Sequence, residues 1–127
     1  MDLLLDTHVF MWWQMGDRRL GGLARETIES AARVFVSAVS VWEIAIKRRA
    51  GKLVFEVSPV AAISGNGFVE LPISGGDAER AGSLDWAHSD PFDRLLVAQA
   101  ERTSGVLVTA DREIAAYRGI AQLWAGA

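Results

Sequence analysis

LLLDTHVFMWW, Leu3 to Trp13, opens with three leucines and stops abruptly on Asp6. A short apolar run bounded in this way reads as a buried strand rather than an exposed one. VLVTAD, Val106 to Asp111, repeats the pattern, again with an acid where the apolar run ends. Working outward, RVFVSA (33–38), FVELPI (68–73) and IAQLWA (120–125) supply three further strands. Helix-period segments fall between them: LGGLARETIESAA (20–32), SAVSVWEIAIKRRAGK (37–52), a short helix within VSPVAAISGNG (57–67), GDAERAGSLDWA (76–87), the helix of DPFDR (90–94), and DREIAAYRG (111–119). Ser37 or Ser40 opens the second of these and Gly51 stops it, while Asp77 begins the fourth. Strand and helix alternate with little room for hairpins, which predicts an α/β fold: a parallel sheet of about five strands covered on both faces.

In such sheets ligands bind beyond the carboxyl ends of the strands, where strand order reverses. Asp6 and Asp111 fall at such ends. Asp6 would need a partner there, because an unpaired buried charge is expensive, although it could equally cap the segment starting at Thr7. Asp111 is also placed to cap the helix it starts. Glu43 lies within VWEIAI, on a helix too apolar for an ordinary exposed glutamate, with Lys47 four residues on as a possible surface partner. HSDPFDRLLVAQA, His88 to Ala100, adds Asp90 at a helix N-cap, Pro91 at the first turn and Asp93 three residues after Asp90. Four or five carboxylates converging with no lysine or arginine among them would raise one another's pKa values. A divalent cation relieves that repulsion, and carboxylate and water oxygens are the ligands Mg²⁺ or Mn²⁺ prefer. Such a site suits hydrolysis of a phosphodiester. The two histidines, His8 and His88, adjoin acids but make a weak zinc argument, and no glycine-rich phosphate loop is present.

The bulk properties are compatible with this. The chain has 127 residues, half of them hydrophobic, enough for one domain with a real core. Its net charge of −3 gives no global attraction to a polyanion, but KRRAGK, Lys47 to Lys52, is locally basic and is either a phosphate track or a solvated helix end. The absence of cysteine excludes disulfides and thiolate metal sites. No basic leader opens the chain and no apolar run approaches the roughly 20 residues that span a bilayer, so a soluble cytoplasmic protein is expected.

LLLDTHVFMWW, SAVSVWEIAIK, HSDPFDRLLVAQA and VLVTADREI, in this order and spacing, resemble the motifs of PIN-domain ribonucleases, specifically the VapC-like toxins of toxin–antitoxin pairs. The resemblance runs from Asp2 to about Trp124. It implies a three-layer α/β/α fold and a Mg²⁺- or Mn²⁺-dependent endoribonuclease, usually a homodimer, restrained by a VapB-like antitoxin. By the same resemblance Asp6, Glu43, Asp93 and Asp111 are the metal-binding and catalytic acids, with Asp90 as helix cap and accessory. Thr7 and Thr109 are placed to hydrogen-bond neighbouring acids and Ser40 to orient Glu43, while Arg94 reads as an external ion pair or a phosphate contact. The rival functions are a non-catalytic PIN-like interaction module and a metal-dependent phosphohydrolase of small substrates. The first is disfavoured because every expected acid is present, the second by the basic Lys47 to Lys52 stretch. Phe10, Met11, Trp12, Trp13 and Met15 follow Asp6 too closely for one short helix to hide them all. The exposed share is expected to receive the antitoxin, which would also reach the acids with an arginine or lysine.

Overall fold

The computed structural model describes residues 1–127. Its elements run β1 (Asp2–Leu5), α1 (Thr7–Met15), α2 (Gly22–Ser30), β2 (Arg33–Ser37), α3 (Ala38–Arg49), α4 (Pro59–Gly65), β3 (Val69–Leu71), α5 (Gly75–Ser83), α6 (Pro91–Thr103), β4 (Val106–Thr109), α7 (Arg112–Ala115) and β5 (Gln122–Trp124). The five strands form one sheet in the order β3-β2-β1-β4-β5, every neighbouring pair parallel. From β1 the chain builds β2 and β3 to one side, then crosses to build β4 and β5 on the other. The order therefore reverses between β1 and β4, the place where open α/β sheets form their sites.

Alternate side chains of each strand face opposite layers. Leu3 and Leu5 pack with Val9 and Phe10 of α1, Ile28 of α2 and Ile63 of α4. Leu4 and Leu107 face the other layer, against Leu96 and Val97 of α6 and Ile114 of α7. Helix α3 serves both, giving Ile44 to the first core and Val39 to the second. The arrangement is the expected three-layer α/β/α fold. No helix is long and apolar enough to cross a membrane.

Of the two serines expected to open α3, Ser37 is the cap, accepting from the Val39 N–H. One helix start differs from expectation. Helix α5 begins two residues before Asp77: Ser74 is its cap, and Asp77 closes a capping box by accepting from the Ser74 N–H while Ser74 Oγ accepts from the Asp77 N–H. The first helix ends on Gly16, whose φ of 64° suits a glycine and lets its N–H return to the carbonyls of Trp12 and Trp13.

Candidate active site

All five acids singled out in the sequence line one small cleft of about 90 Å³ beyond the carboxyl ends of β1 and β4. Asp6 is only 4% exposed. It caps α1, Oδ1 accepting from the Val9 N–H at 2.8 Å, and its other oxygen accepts from the Thr109 hydroxyl of β4. The cap and the cleft are thus the same residue, since a carboxylate at the start of α1 necessarily sits at the strand end. Burial pushes its pKa above the ordinary value, and the Thr109 hydroxyl, the Val9 N–H and nearby His8 offset that only in part. Thr109 also accepts from the Asp111 N–H at 3.0 Å, which ties the two strand-end acids to one hydroxyl. Asp111 itself caps α7 through the N–H groups of Glu113 and Ile114.

Glu43 enters from α3 and is 6% exposed. Thr7 Oγ1 lies 2.6 Å from Glu43 Oε1 and 2.9 Å from Ser40 Oγ. A threonine hydroxyl has one proton, so it donates to the carboxylate and accepts from Ser40. Lys47 Nζ meets the other oxygen, Oε2, at 2.6 Å and lines the cleft. This corrects the expectation that no cation stands among the acids. Position 47, one turn beyond Glu43, shares its helix face, and that face points inward. The basic stretch is broken up in the same way: Arg48 donates to the carbonyls of Phe55 and Val57, which leaves Lys47 to Lys52 without a continuous cationic track.

Asp90 caps α6 by accepting from the Asp93 N–H at 3.0 Å. Asp93, in the first turn, lies 2.7 Å from His88 Nε2. Its pKa is pushed up to about 6, first by burial and then by the charges of Asp90 and Asp111, with His88 opposing. The bond to Asp93 in turn raises His88. His88, Asp90 and Asp93 bring ligand atoms within 4.8 Å of one another. His88, a weak zinc candidate in the sequence, stands here as the hydrogen-bond partner of an acid, with its position five residues before Asp93, across a turn, as the signal. Arg94 is neither an ion pair nor free for phosphate. Its guanidinium donates to the carbonyls of Ala81, Leu84, Trp86 and His88, fixing the loop that carries His88.

The donor set is rich in carboxylate oxygen, contains no thiolate, and carries more negative charge than Lys47 can balance. It fits a hard divalent cation such as Mg²⁺ or Mn²⁺.

The sheet order and the acids at its strand ends define an α/β class with one acid-lined cleft, and residues 3–120 match the PIN domain family model. The chain belongs to the PIN domain family. It is similar to the protein named Ribonuclease VapC22 of Mycobacterium tuberculosis, 29% identical over 119 residues that cover 91% of this chain and 92% of that one. Among solved structures it resembles VapBC2 of Rickettsia felis, bound to a DNA fragment from their promoter, with a TM-score of 0.72 at 13% identity over 97% of this chain and 98% of that chain. It also resembles VapC20 of Mycobacterium tuberculosis, a sarcin-ricin loop cleaving toxin, with a TM-score of 0.60 at 16% identity over 94% and 98%.

Proposed function

We propose that this chain is a divalent-metal-dependent endoribonuclease and the toxin of a toxin–antitoxin pair. The observation that carries this reading is the convergence of Asp6, Glu43, Asp90, Asp93 and Asp111 on one cleft, with Asp6 and Asp93 both raised in pKa by burial. Asp6, Glu43, Asp93 and Asp111 are the residues that would hold Mg²⁺ or Mn²⁺, with Asp90 and His88 beside Asp93. The ion would supply activation of a water and neutralisation of charge on the phosphoryl group. The chain's own groups do the positioning. Thr109 orients Asp6, Thr7 fixes Glu43 with Ser40 behind it, and His88 holds one oxygen of Asp93. Lys47, partly exposed at the cleft, is placed to meet a phosphate oxygen of the strand being cut.

The relative's name, Ribonuclease VapC22, supports RNA as the substrate, and the VapBC2 neighbour supports a VapB-like partner. Phe10 and Met11 are buried in the core and Trp12 and Trp13 are half-buried, so the exposed end of the aromatic run is Met15. Met15 joins Val54 and Val57 around an open groove of about 340 Å³. An antitoxin segment that covers this groove and the half-buried Trp12 and Trp13, and that reaches the acids with an arginine or lysine, is part of the proposal. A homodimer is the family's usual assembly and part of the same proposal.

The test is incubation of the purified protein with total cellular RNA and Mg²⁺ or Mn²⁺, with and without EDTA, followed by mapping of the new ends. Discrete metal-dependent cleavage that disappears in Asp93→Asn is expected. Cleavage indifferent to both EDTA and Asp93→Asn would overturn the reading.

A further inference from the structure

On the β5 side of the cleft stands a second feature that the acid site leaves unused. Trp124 closes β5 with its Cα paired to that of Thr109, the residue whose hydroxyl holds Asp6. Adjacent strands lie about 4.8 Å apart, so position 124 stands one strand away from Thr109. It is 43% exposed, unusual for a side chain of this size. The guanidinium of Arg112, next to Asp111, lies over the ring at 5.7 Å from its centroid. Gln122, on the same face of β5, anchors this edge by donating to the carbonyls of Ile114 and Tyr117. Tyr117, Arg118, Ile120 and Trp124 then line an open hollow of about 390 Å³ beside α7.

We propose that Trp124, with Arg112 and Arg118, forms a subsite for an unpaired nucleotide next to the scissile phosphate. The inference rests on the ribonuclease reading above and deepens it by naming the residues that would seat one base beside the cut. An exposed indole is a stacking surface for any base, and flanking guanidiniums meet the phosphates. Arg112 already demonstrates that a flat cationic group can reach the ring face. A base stacking there takes its place and frees the guanidinium for the backbone. Arg118 in the lining of the hollow and Arg112 over the indole supply positive charge here in a chain of net charge −3, where attraction for a polyanion has to be local.

The test uses the full chain and a fluorescein-labelled single-stranded oligouridylate, in EDTA so that binding is read without turnover. Trp124→Ala and Trp124→Leu are expected to weaken binding about tenfold, the loss of one base–aromatic stack, while Trp124→Phe stays within about threefold of wild type. Leucine keeps the apolar bulk without a π face, so equal losses in Ala and Leu with unchanged melting temperature distinguish stacking from folding. A duplex of the same length should show no such ranking. Equal affinity in wild type and Trp124→Leu, or no binding of the oligonucleotide by wild type, overturns the subsite. Oligonucleotide binding that follows this ranking in a protein showing no metal-dependent cleavage overturns the ribonuclease reading instead.

Discussion

Asp77 on α5 and Asp6 at the end of β1 are buried alike, 1% and 4% exposed, yet their surroundings differ. Asp77 receives Arg102 on both oxygens, at 2.5 and 3.0 Å, and the Ser74 N–H as well. Burial alone would raise its pKa, but the Arg102 and Ser74 hydrogen bonds outweigh burial and hold the group below its ordinary value. At Asp6 burial again acts first, and here the Thr109 hydroxyl, the Val9 N–H and nearby His8 only partly offset it, so the value ends above normal. Where the chain supplies the cation, a buried carboxylate is a fastening between α5 and α6. Where it supplies only hydroxyl and amide donors, the carboxylate gains from a cation brought from outside.

The largest expected effect separates the two regions by activity. Asp6→Asn or Asp93→Asn should lower RNA cleavage by more than about a hundredfold, because even residues that merely orient ligands cost about 10- to 100-fold. Asp77→Asn should leave the rate per folded molecule unchanged. Comparable loss of cleavage in all three variants would erase the distinction.

Stability should separate them by pH. Asp93, with a folded pKa of about 6 against an ordinary 3.8, binds a proton in the folded state that the unfolded chain has already released. Metal-free stability therefore falls as pH rises through that window, by about 3 kcal/mol at most. His88, raised above 6.5 by Asp93, adds a decline of the same sign as pH rises through its folded value. Asp77, lowered, acts oppositely: its contribution is present above 3.8 and is lost only as pH falls through its folded value. Thermal melts in EDTA should thus show a decline toward neutral pH that is reduced in Asp93→Asn and reversed by added Mg²⁺. A flat wild-type profile would contradict the assignment.

Asp77→Asn should cost about 2 kcal/mol, since it removes charge-assisted bonds to a partly exposed arginine while keeping a polar partner for Ser74. Chemical denaturation reads this directly. The smallest effect is expected for Asp90→Asn, because asparagine caps a helix as well as aspartate does; cleavage should stay within a few fold. Loss as complete as in Asp93→Asn would promote Asp90 from cap to ligand.

The sequence carried the strands well, because Leu3 to Leu5 and Leu107 to Thr109 are buried on both faces and lie in unbroken, largely apolar runs. It carried the acids because strand ends are fixed by the same runs. What it could not carry depended on which way a helix faces. Lys47 is one turn from Glu43 in any helix, but only the packing of Val39 and Ile44 turns that face into the cleft. Arg94 finds one carbonyl on α5, at Ala81, and three on the loop that follows it, and nothing local encodes that. Trp124 and Arg112 likewise meet only because β5 lies beside β4. Asp77 does not start its helix, because a serine three residues earlier takes the cap and leaves the aspartate to close the box.

Calorimetric titration of Mg²⁺ into the wild-type chain, Asp93→Asn and Asp77→Asn, at about pH 6 where Asp93 still holds part of its proton, tests the central claim most directly. Wild type and Asp77→Asn should bind the ion and release protons, whereas Asp93→Asn should not bind it. Equal binding by Asp93→Asn, or none by wild type with either Mg²⁺ or Mn²⁺, would contradict a metal site in the acid cleft.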